Sequence, residues 1–207
     1  MLLRIIICLA AGYFCGCIST GYIIGRLNHI DIRDYGSGNI GTTNALRTLG
    51  KKAGALTFIG DSFKALIPII IVKLIFKDLE YKQLLGLYTG LGVTLGHNYP
   101  FWLKFKGGKG IAVMAGVMAA IDPLSIPFMI VVFGSVLAVT KYVSASSLVL
   151  AVFIPVWIGI RSAGDIHMIL IACIFTISAF NRHRANIKRL MNGSENRIGQ
   201  KVEIPKK

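Results

Sequence analysis

Seven long apolar stretches, separated by short polar segments, constrain the fold of this chain more than any other feature of its sequence. They are residues Leu2–Gly25, Ala53–Phe76, Gln83–Asn98, Gly110–Ile121, Leu124–Thr140, Tyr142–Ile160 and Ile166–Asn181. A helix that spans a bilayer needs about 20 mainly apolar residues, so most of these stretches suit a span, and the fourth is short for one. The sequence predicts an all-α polytopic integral membrane protein with seven transmembrane helices in a single domain, residues 1–207.

The composition supports a membrane protein and argues against two other classes. Of the 207 residues, 54% are hydrophobic and 15% are charged, and the formal net charge is +14. Hydrophobicity this high excludes a disordered chain, and a nucleic-acid-binding domain would carry its basic patch on a more polar scaffold. We therefore expect membrane lipid, and no nucleic acid, as a partner. The cysteines and histidines show no metal-ligand spacing, so no metal is expected.

The distribution of positive charge predicts the orientation. With seven spans, the segments on one side of the membrane hold 17 Lys and Arg residues and those on the other side hold four. Because the side rich in Lys and Arg faces the cytoplasm, the C-terminus is predicted in the cytoplasm and the N-terminus outside. The cytoplasmic side has a net charge of +13, and the outer side is neutral. Such an excess sets topology and attracts anionic lipid, but it does not account for the glycine-rich loops on the same side.

The first cytoplasmic loop has the composition of an anion-binding turn. It reads Gly36-Ser37-Gly38-Asn39-Ile40-Gly41-Thr42-Thr43-Asn44 and continues to Arg47. Its glycines let the backbone turn and expose N–H groups, its Ser, Asn and Thr can cap a helix that starts near Thr42, and Gly50 can end that helix. A helix N-terminus with Arg47 nearby can bind phosphate. The alternative is an ordinary flexible loop; a nucleotide P-loop is excluded because no Gly-Lys-Ser/Thr sequence follows.

The third loop combines glycine, lysine and aromatic residues. Between Gly96 and Gly110 it holds His97, three lysines, Phe101, Trp102 and Phe105. Lys and Gly residues before an apolar helix present a second helix N-terminus to an anion, and the aromatic residues suit the headgroup level of a membrane. His97, at a helix end beside these cations, is a candidate base. The alternative is a histidine that only makes structural hydrogen bonds.

Two further groups of polar residues are predicted on helices. The C-terminal tail continues the last span as a basic helix, with His183, Asn186 and Leu190 on one face; the alternative is a juxtamembrane stop that lies on anionic lipid. Asp61 and Lys64 lie three residues apart inside the second span. Because charges within a membrane are costly and usually paired, we interpret them as a structural pair that supports the site.

One motif points to another class of enzyme. His29-Ile30-Asp31-Ile32-Arg33-Asp34 matches the H-x-x-x-x-D signature of a different class of glycerolipid acyltransferases. The second motif of that class, with a Pro-Glu-Gly-Thr core, is absent from this sequence. We therefore interpret the match as a coincidence.

Taken in order, the polar segments resemble those of the bacterial membrane acyltransferases that use acyl-phosphate to acylate glycerol-3-phosphate. The resemblance covers nearly the whole chain and rests on Gly21–Arg26, Gly36–Arg47, Gly96–Pro100, Lys104–Gly110 and Asn181–Glu195. It implies seven spans with an external N-terminus, and an enzyme of the cytoplasmic membrane that makes lysophosphatidic acid and phosphate, the first acylation of phospholipid synthesis. The chain departs from the family pattern at Cys17, Ser19, Thr42, Ala65 and Tyr99, while the other polar motif residues are intact.

The resemblance also implies roles for individual residues. The candidate catalytic residues are Ser37 and Arg47, together with His97, which is a candidate by its residue type. Those implied to bind acyl-phosphate or its phosphate are Gly36, Gly38, Asn39, Thr43, Asn44, Lys104, Gly107, Gly108 and Lys109, and those implied to bind glycerol-3-phosphate are Asn181, His183, Asn186, Lys188 and Glu195. No cofactor or metal is implied, because the mixed anhydride is already activated. The enzyme that makes acyl-phosphate is a further candidate partner.

The chemical steps and the function each have alternatives. His97 or the departing phosphate could take the hydroxyl proton, and Ser37 could form an acyl-enzyme, although direct transfer in a ternary complex is favoured. A transporter or channel for an organic phosphate would also need a basic vestibule, but it should carry polar residues through the bilayer midplane, where this sequence has few. A purely structural membrane protein would leave the glycine-rich loops unexplained.

Overall fold

The computed structural model describes residues 1–200, and these residues form an all-helical protein, as predicted. The ten α-helices in this range are α1 (Leu2–Gly16), α2 (Thr20–Leu27), α3 (Thr42–Leu49), α4 (Lys51–Ile75), α5 (Lys82–Asn98), α6 (Ile111–Ile121), α7 (Ser125–Thr140), α8 (Val143–Arg161), α9 (Ile166–Arg182) and α10 (Arg184–Met191). Short 3₁₀ turns lie in the first loop, Ile32–Asp34, and in the third loop, Phe101–Leu103. Four charged residues of the predicted cytoplasmic tail, Lys201, Glu203, Lys206 and Lys207, lie outside the described residues.

Each of the seven apolar stretches is helical, and three segments of the described chain are long and apolar enough to cross a membrane. They are Leu2–Leu27, Lys51–Ile75 and Val143–Arg161, and α9 with α10 makes a fourth candidate with a bend of 61°. Helix α6 has 11 residues, which corresponds to a length of about 16 Å against a hydrocarbon core of about 30 Å. The number of spans and their orientation stay predictions.

The first apolar stretch is not the single helix that the sequence predicted, because α1 and α2 are separated at Cys17–Ser19. The carbonyl groups freed at this break accept hydrogen bonds from side chains. Cys17 O accepts from Trp102 Nε1 at 2.8 Å, and Ile18 O accepts from Lys64 Nζ at 2.6 Å. An unsatisfied carbonyl is costly in an apolar environment, and partners of this kind allow a helix to break at membrane depth.

Helix α5 lies at the centre of the bundle, where it contacts α1, α4, α6 and α9. Thirteen of its 17 residues are buried. Glycines bring α5 and α1 into backbone contact: Gly12 and Gly16 of α1 and Gly92 and Gly96 of α5 each face a carbonyl of the other helix. Small residues at matching levels are a common means of close packing between membrane helices.

Helices α4 and α6 contact each other closely, and the site lies next to this contact. A Cβ on Gly116 of α6 would collide with the backbone carbonyl of Ser62 in α4. Ser62 Oγ donates to the carbonyl of Ala112 at 3.0 Å. These contacts fix the distance between the two helices, and on the other side α4, α6 and α7 enclose a groove.

Candidate active site

A cavity of about 670 Å³ lies between α3, α4, α6, α7, α8 and α10 and the tail that follows them. One end is polar and the other is apolar. Ten of the predicted site residues line it, namely Ser37, Asn39, Thr43, Asn44, Arg47, His97, Lys109, His183, Asn186 and Glu195. The fold therefore brings together residues from three separate segments of the sequence.

The first loop turns sharply before α3. Gly36 and Gly38 have φ angles of 61° and 67°, in the left-handed region that favours glycine. As predicted, α3 begins at Thr42, and Gly50 ends it with a φ angle of 89°. The turn and the short helix together place the polar side chains of the loop on the cavity.

The asparagines of the first loop brace its backbone and do not cap α3. The N-cap residue of α3 is Gly41, which makes no side-chain cap, so the expectation of a Ser, Asn or Thr cap is wrong. Asn39 Oδ1 accepts a hydrogen bond from the N–H of Gly41 at 2.9 Å, and Asn44 Oδ1 accepts one from the N–H of Ser37 at 2.9 Å. The Nδ2 of the buried Asn44 donates to two further carbonyls at 3.1 Å. Asn44 therefore shapes the loop that presents Ser37.

A chain of hydrogen bonds joins the third loop to the tail. Lys109 Nζ donates to Asn186 Oδ1 at 2.5 Å, and Asn186 Nδ2 donates to Glu195 Oε1 at 2.8 Å. Glu195 Oε2 accepts from Arg189 Nε at 2.7 Å, and Ser144 Oγ in α8 donates to Glu195 Oε1 at 3.1 Å. Glu195 is buried although the tail around it is polar. This network holds the Lys109 ammonium group at the cavity wall.

Positive charge dominates the polar end. The charges near the Lys109 ammonium group are the guanidinium groups of Arg47, Arg182 and Arg189 and one buried carboxylate, that of Glu195. Burial, together with the neighbouring arginines, lowers the pKa of Lys109 to about 8, and burial lowers the pKa of Arg47. Such a surplus of positive charge attracts anions. Within residues 1–200, no cluster of His, Cys, Asp and Glu side chains is arranged to hold a metal ion.

His183 marks a bend that the sequence did not predict. The last span was expected to continue into the tail, but α9 ends at Arg182 and α10 begins at Arg184, with a bend of 61° between them. His183 Nδ1 lies 2.8 Å from the Ala179 carbonyl oxygen and donates to it, so Nε2 is left as an acceptor. Burial, followed by the charge of Lys109, lowers the pKa of His183 to about 4. The imidazole is therefore neutral at pH 7.

The hydrogen bonds of His97 do not suit the base that the sequence suggested. Its Nδ1 lies 2.8 Å from Lys64 Nζ, and because an ammonium group can only donate, Nδ1 accepts and Nε2 carries the proton. The Nε2 edge of the ring packs against Gly108, where a Cβ would collide with it. Lys64 also lies 2.9 Å from Asp61, which confirms the predicted structural pair. In this arrangement neither ring nitrogen of His97 is free to accept a proton, and its role as a base stays a prediction.

Several of the predicted phosphate-binding residues lie outside the cavity lining. They are Gly36, Gly38, Lys104, Gly107, Gly108 and Lys188. The N–H groups of Gly107 and Gly108 donate to backbone carbonyls at the end of α5, so these glycines pack the third loop and do not offer their N–H groups to a phosphate. The side chains of Lys104 and Lys188 are exposed.

A smaller cavity of about 320 Å³ adjoins the polar end. It shares Ser37, Asn39, Lys109 and Asn186 with the larger cavity, and Asn181, Arg182, Arg184, Ala185 and Arg189 complete its lining. The sequence did not predict these arginines or Ser144 as site residues, because a basic helix after a span and a serine at the start of a helix are common features. Their only signal was the high density of Arg in the tail.

The other end of the large cavity is an apolar groove. Ala112, Ala115 and Ala119 of α6, Phe58, Phe63 and Leu66 of α4, and Ile126, Met129, Ile130 and Phe133 of α7 line it. Phe58 and Phe63 are about half exposed and Ile130 is 66% exposed, so we interpret the groove as open sideways between α4 and α7. A ligand with an anionic head and a hydrocarbon tail matches this combination of surfaces.

Comparisons with known sequences identify the family. A family model described as glycerol-3-phosphate acyltransferase matches residues 6–193. A glycerol-3-phosphate acyltransferase of Clostridioides difficile is 43% identical over 201 residues, which cover 96% of this chain and 97% of that protein. A protein of the same name from Alkaliphilus metalliredigens is 39% identical over 94% of this chain and 96% of its own length.

Comparisons with solved structures agree. Two similar structures are crystal structures of PlsY (YgiH), described as an integral membrane glycerol 3-phosphate acyltransferase. The glycerol 3-phosphate form superposes with a TM-score of 0.86 at 34% identity, over 94% of this chain and 96% of that one. The lysophosphatidic acid form gives a TM-score of 0.84 at 33% identity, over 95% and 96%. The chain therefore belongs to the glycerol-3-phosphate acyltransferase family and is an integral membrane acyltransferase.

Proposed function

We propose that the chain transfers an acyl group from acyl-phosphate to the 1-hydroxyl of glycerol-3-phosphate and so produces lysophosphatidic acid and phosphate. The observation that carries this proposal is a single cavity in which a cationic end meets an apolar groove. Acyl-phosphate has an anionic head and a hydrocarbon tail that correspond to these two ends. Forms of the similar PlsY structures with glycerol 3-phosphate and with lysophosphatidic acid are consistent with the second substrate and the product.

The two cavities give each phosphate group its own place. Arg47 and the hydroxyl and amide groups of the first loop hold the phosphate of acyl-phosphate in the larger cavity. Asn181 and the tail arginines hold the phosphate of glycerol-3-phosphate in the smaller one. Lys109 lines both cavities and stabilises negative charge between the two anions. Asn186 and Glu195 keep the Lys109 ammonium group there through their hydrogen bonds.

Direct transfer between the bound substrates is the proposed chemistry. The 1-hydroxyl oxygen attacks the acyl carbon, the bond from that carbon to the phosphate oxygen breaks, and the departing phosphate takes the hydroxyl proton. His183 Nε2 accepts a hydrogen bond from the hydroxyl and orients it, and its low pKa suits a positioning role better than proton storage. Detection of an acylated Ser37 by mass spectrometry would contradict direct transfer.

We also propose a topology of seven spans in the cytoplasmic membrane, with the N-terminus outside and the site on the cytoplasmic side. The asymmetry of 17 against four positive residues supports this orientation. The segments that supply the cavity cations, in the first loop, the third loop and the tail, all lie on the side counted as cytoplasmic. The chain then forms one transmembrane acyltransferase domain, residues 1–207. The apolar lining of the deep end argues against a polar route for transport across the bilayer.

The donor is tested with the purified full-length protein in phospholipid vesicles and labelled glycerol-3-phosphate. Palmitoyl-phosphate, palmitoyl-coenzyme A and palmitoyl-acyl carrier protein are supplied in parallel. We expect labelled lysophosphatidic acid from palmitoyl-phosphate alone, with release of one phosphate per product, and an enzyme that makes acyl-phosphate is then the expected partner. Product from a thioester donor, and none from palmitoyl-phosphate, would contradict the proposed donor.

A further inference from the structure

The groove face of α6 is built from evenly spaced small residues. Ala112, Ala115 and Ala119 line the groove and are partly exposed. The remaining faces carry larger buried residues, Val113, Met114, Val117 and Met118. Residues three or four positions apart lie on one face of a helix, so the three alanines form one continuous floor. A larger side chain on this floor would project into the groove without disturbing the buried faces.

The lining of the groove ends at one residue on each of the three helices. Its last lining residues are Leu66 of α4, Ala119 of α6 and Ile126 of α7. Beyond this level Lys73 Nζ of α4 donates to the carbonyl of Ala120 at 2.6 Å, which joins α4 to α6. Between the start of α6 and Ala119 the helix rises about 12 Å, which is less than half of a hydrocarbon core of about 30 Å. The groove is therefore a recess of limited depth.

Helices α4 and α6 cannot easily move apart or together. Gly116 lies against the backbone of Ser62, and Ser62 Oγ is bonded to the Ala112 carbonyl. This contact lies midway along the groove, and the Lys73 contact lies at its end. Because close-packed backbones resist displacement, the free length of the groove depends on the side chains that line it.

We infer that Ala119 sets the longest acyl chain that this enzyme accepts, and that Ala115 marks a shorter limit nearer the polar end. The inference rests on the proposed function of the cavity as the acyl-donor site, but not on the chemical form of the donor. A chain that reaches the end of the groove meets Ala119, Leu66 and Ile126. A larger residue at position 119 shortens the recess by part of its depth, and the same change at position 115 shortens it by more.

The test is a chain-length profile of the full-length enzyme in vesicles. Saturated acyl-phosphates from octanoyl to stearoyl are assayed with glycerol-3-phosphate for wild type, Ala119→Leu, Ala115→Leu and Ile126→Ala. We expect Ala119→Leu to raise the ratio of lauroyl to stearoyl kcat/KM by about tenfold, because the end of the longer chain would overpack against the added side chain. Ala115→Leu should begin to discriminate at a shorter chain, and Ile126→Ala should lower the ratio.

Ala138→Leu is the matched control, because Ala138 lies on the exposed surface of α7 outside the groove. Its profile should equal that of wild type. Equal profiles for all the groove variants would overturn the inference and show that long chains leave between Phe63 and Ile130; the proposed function would survive. If acyl-phosphate supports no product with wild type, the proposed donor fails instead, and the same series is run with the donor that does. If one enlarged variant does not fold, the other and Ile126→Ala still decide the outcome.

Discussion

The α1–α5 interface and the groove between α4, α6 and α7 are both built from small residues, yet one is closed and the other is open. In the interface, glycines lie at matching levels on both helices, and each faces a backbone carbonyl. In the groove, the alanines of α6 face large side chains of α4 and α7. Gly116 and Ser62 also line the cavity, and their contact fixes the distance between α6 and α4 but leaves α7 apart from both.

This difference shows that a small residue in an apolar helix has no single structural meaning. The backbones of two helices come into contact where both helices have small residues at the same level, because a larger side chain on either helix keeps the backbones apart. Where only one helix is small, the space remains and becomes available to a ligand. The closed interface stabilises the bundle, and the open groove provides a space in which a ligand can bind.

The largest expected effect comes from opening the closed interface. Gly92→Ala places a Cβ against the carbonyl oxygen of Leu9, and we expect this overpacking to lower the free energy of unfolding by about 3 kcal/mol. The measurement is the Tm of the purified protein in detergent. Gly134→Ala, on the groove side, is the control, since no atom lies within 4 Å of its added Cβ. Equal Tm values for the two variants would contradict the proposed role of the glycine contacts.

The second effect concerns the polar end of the open cavity. Arg47→Ala removes a guanidinium group that lines the cavity and whose Nη2 donates to the Asn196 carbonyl at 3.2 Å. We expect kcat/KM with acyl-phosphate to fall by about 10- to 100-fold, the usual value of a hydrogen bond to a charged group, while the Tm changes little. Arg26→Ala is the control, because Arg26 is exposed and outside the cavity. Unchanged turnover in Arg47→Ala would refute the assignment of this residue.

The smallest expected effect is a pH dependence of the KM for acyl-phosphate, which arises at the open cavity. The glycine contacts of the closed interface involve no titrating side chain, so its stability should not change over the same pH range. Because the pKa of Lys109 is lowered to about 8, its side chain is mostly charged at pH 7 and mostly neutral above pH 9. We expect the KM for acyl-phosphate to rise about fivefold over this range as the positive charge is lost. Lys109→Arg stays charged throughout and should show a flatter profile. A wild-type KM that is constant from pH 7 to pH 9 would contradict this role.

The helices and much of the polar end could be predicted because their signals are local. A glycine-rich turn before Thr42 and a stop at Gly50 define α3 within a short stretch of sequence. Asp61 and Lys64 are three residues apart on one helix, so their pairing follows from helical geometry alone. The charge asymmetry then indicated which loops could meet, and residues from those loops do share the cavity.

The remaining features depend on contacts between distant segments, for which the pattern of hydropathy carries no signal. The break after α1 requires Trp102 and Lys64 to bond the freed carbonyls. Lys64 also fixes the hydrogen-bonding state of His97, and nothing in the sequence around either residue signals this contact. Glu195 is buried because Ser144 and Arg189 bind its carboxylate. An alanine stripe facing a groove has the same sequence pattern as one facing a helix.

The sideways opening of the groove determines which part of a bound substrate, its head or its acyl tail, contributes most of the binding free energy. Phe58, Phe63 and Ile130 border this opening and are exposed, and we expect lipid to face them in the membrane. Between turnovers, the acyl tails of neighbouring lipids can occupy the groove, so an entering chain replaces one hydrocarbon by another. Lipid tails are as apolar as leucine side chains, and this exchange therefore contributes little net free energy. In the proposed reaction, the head of the donor is bound through its negative charge, and its tail is selected by the length and shape of the groove.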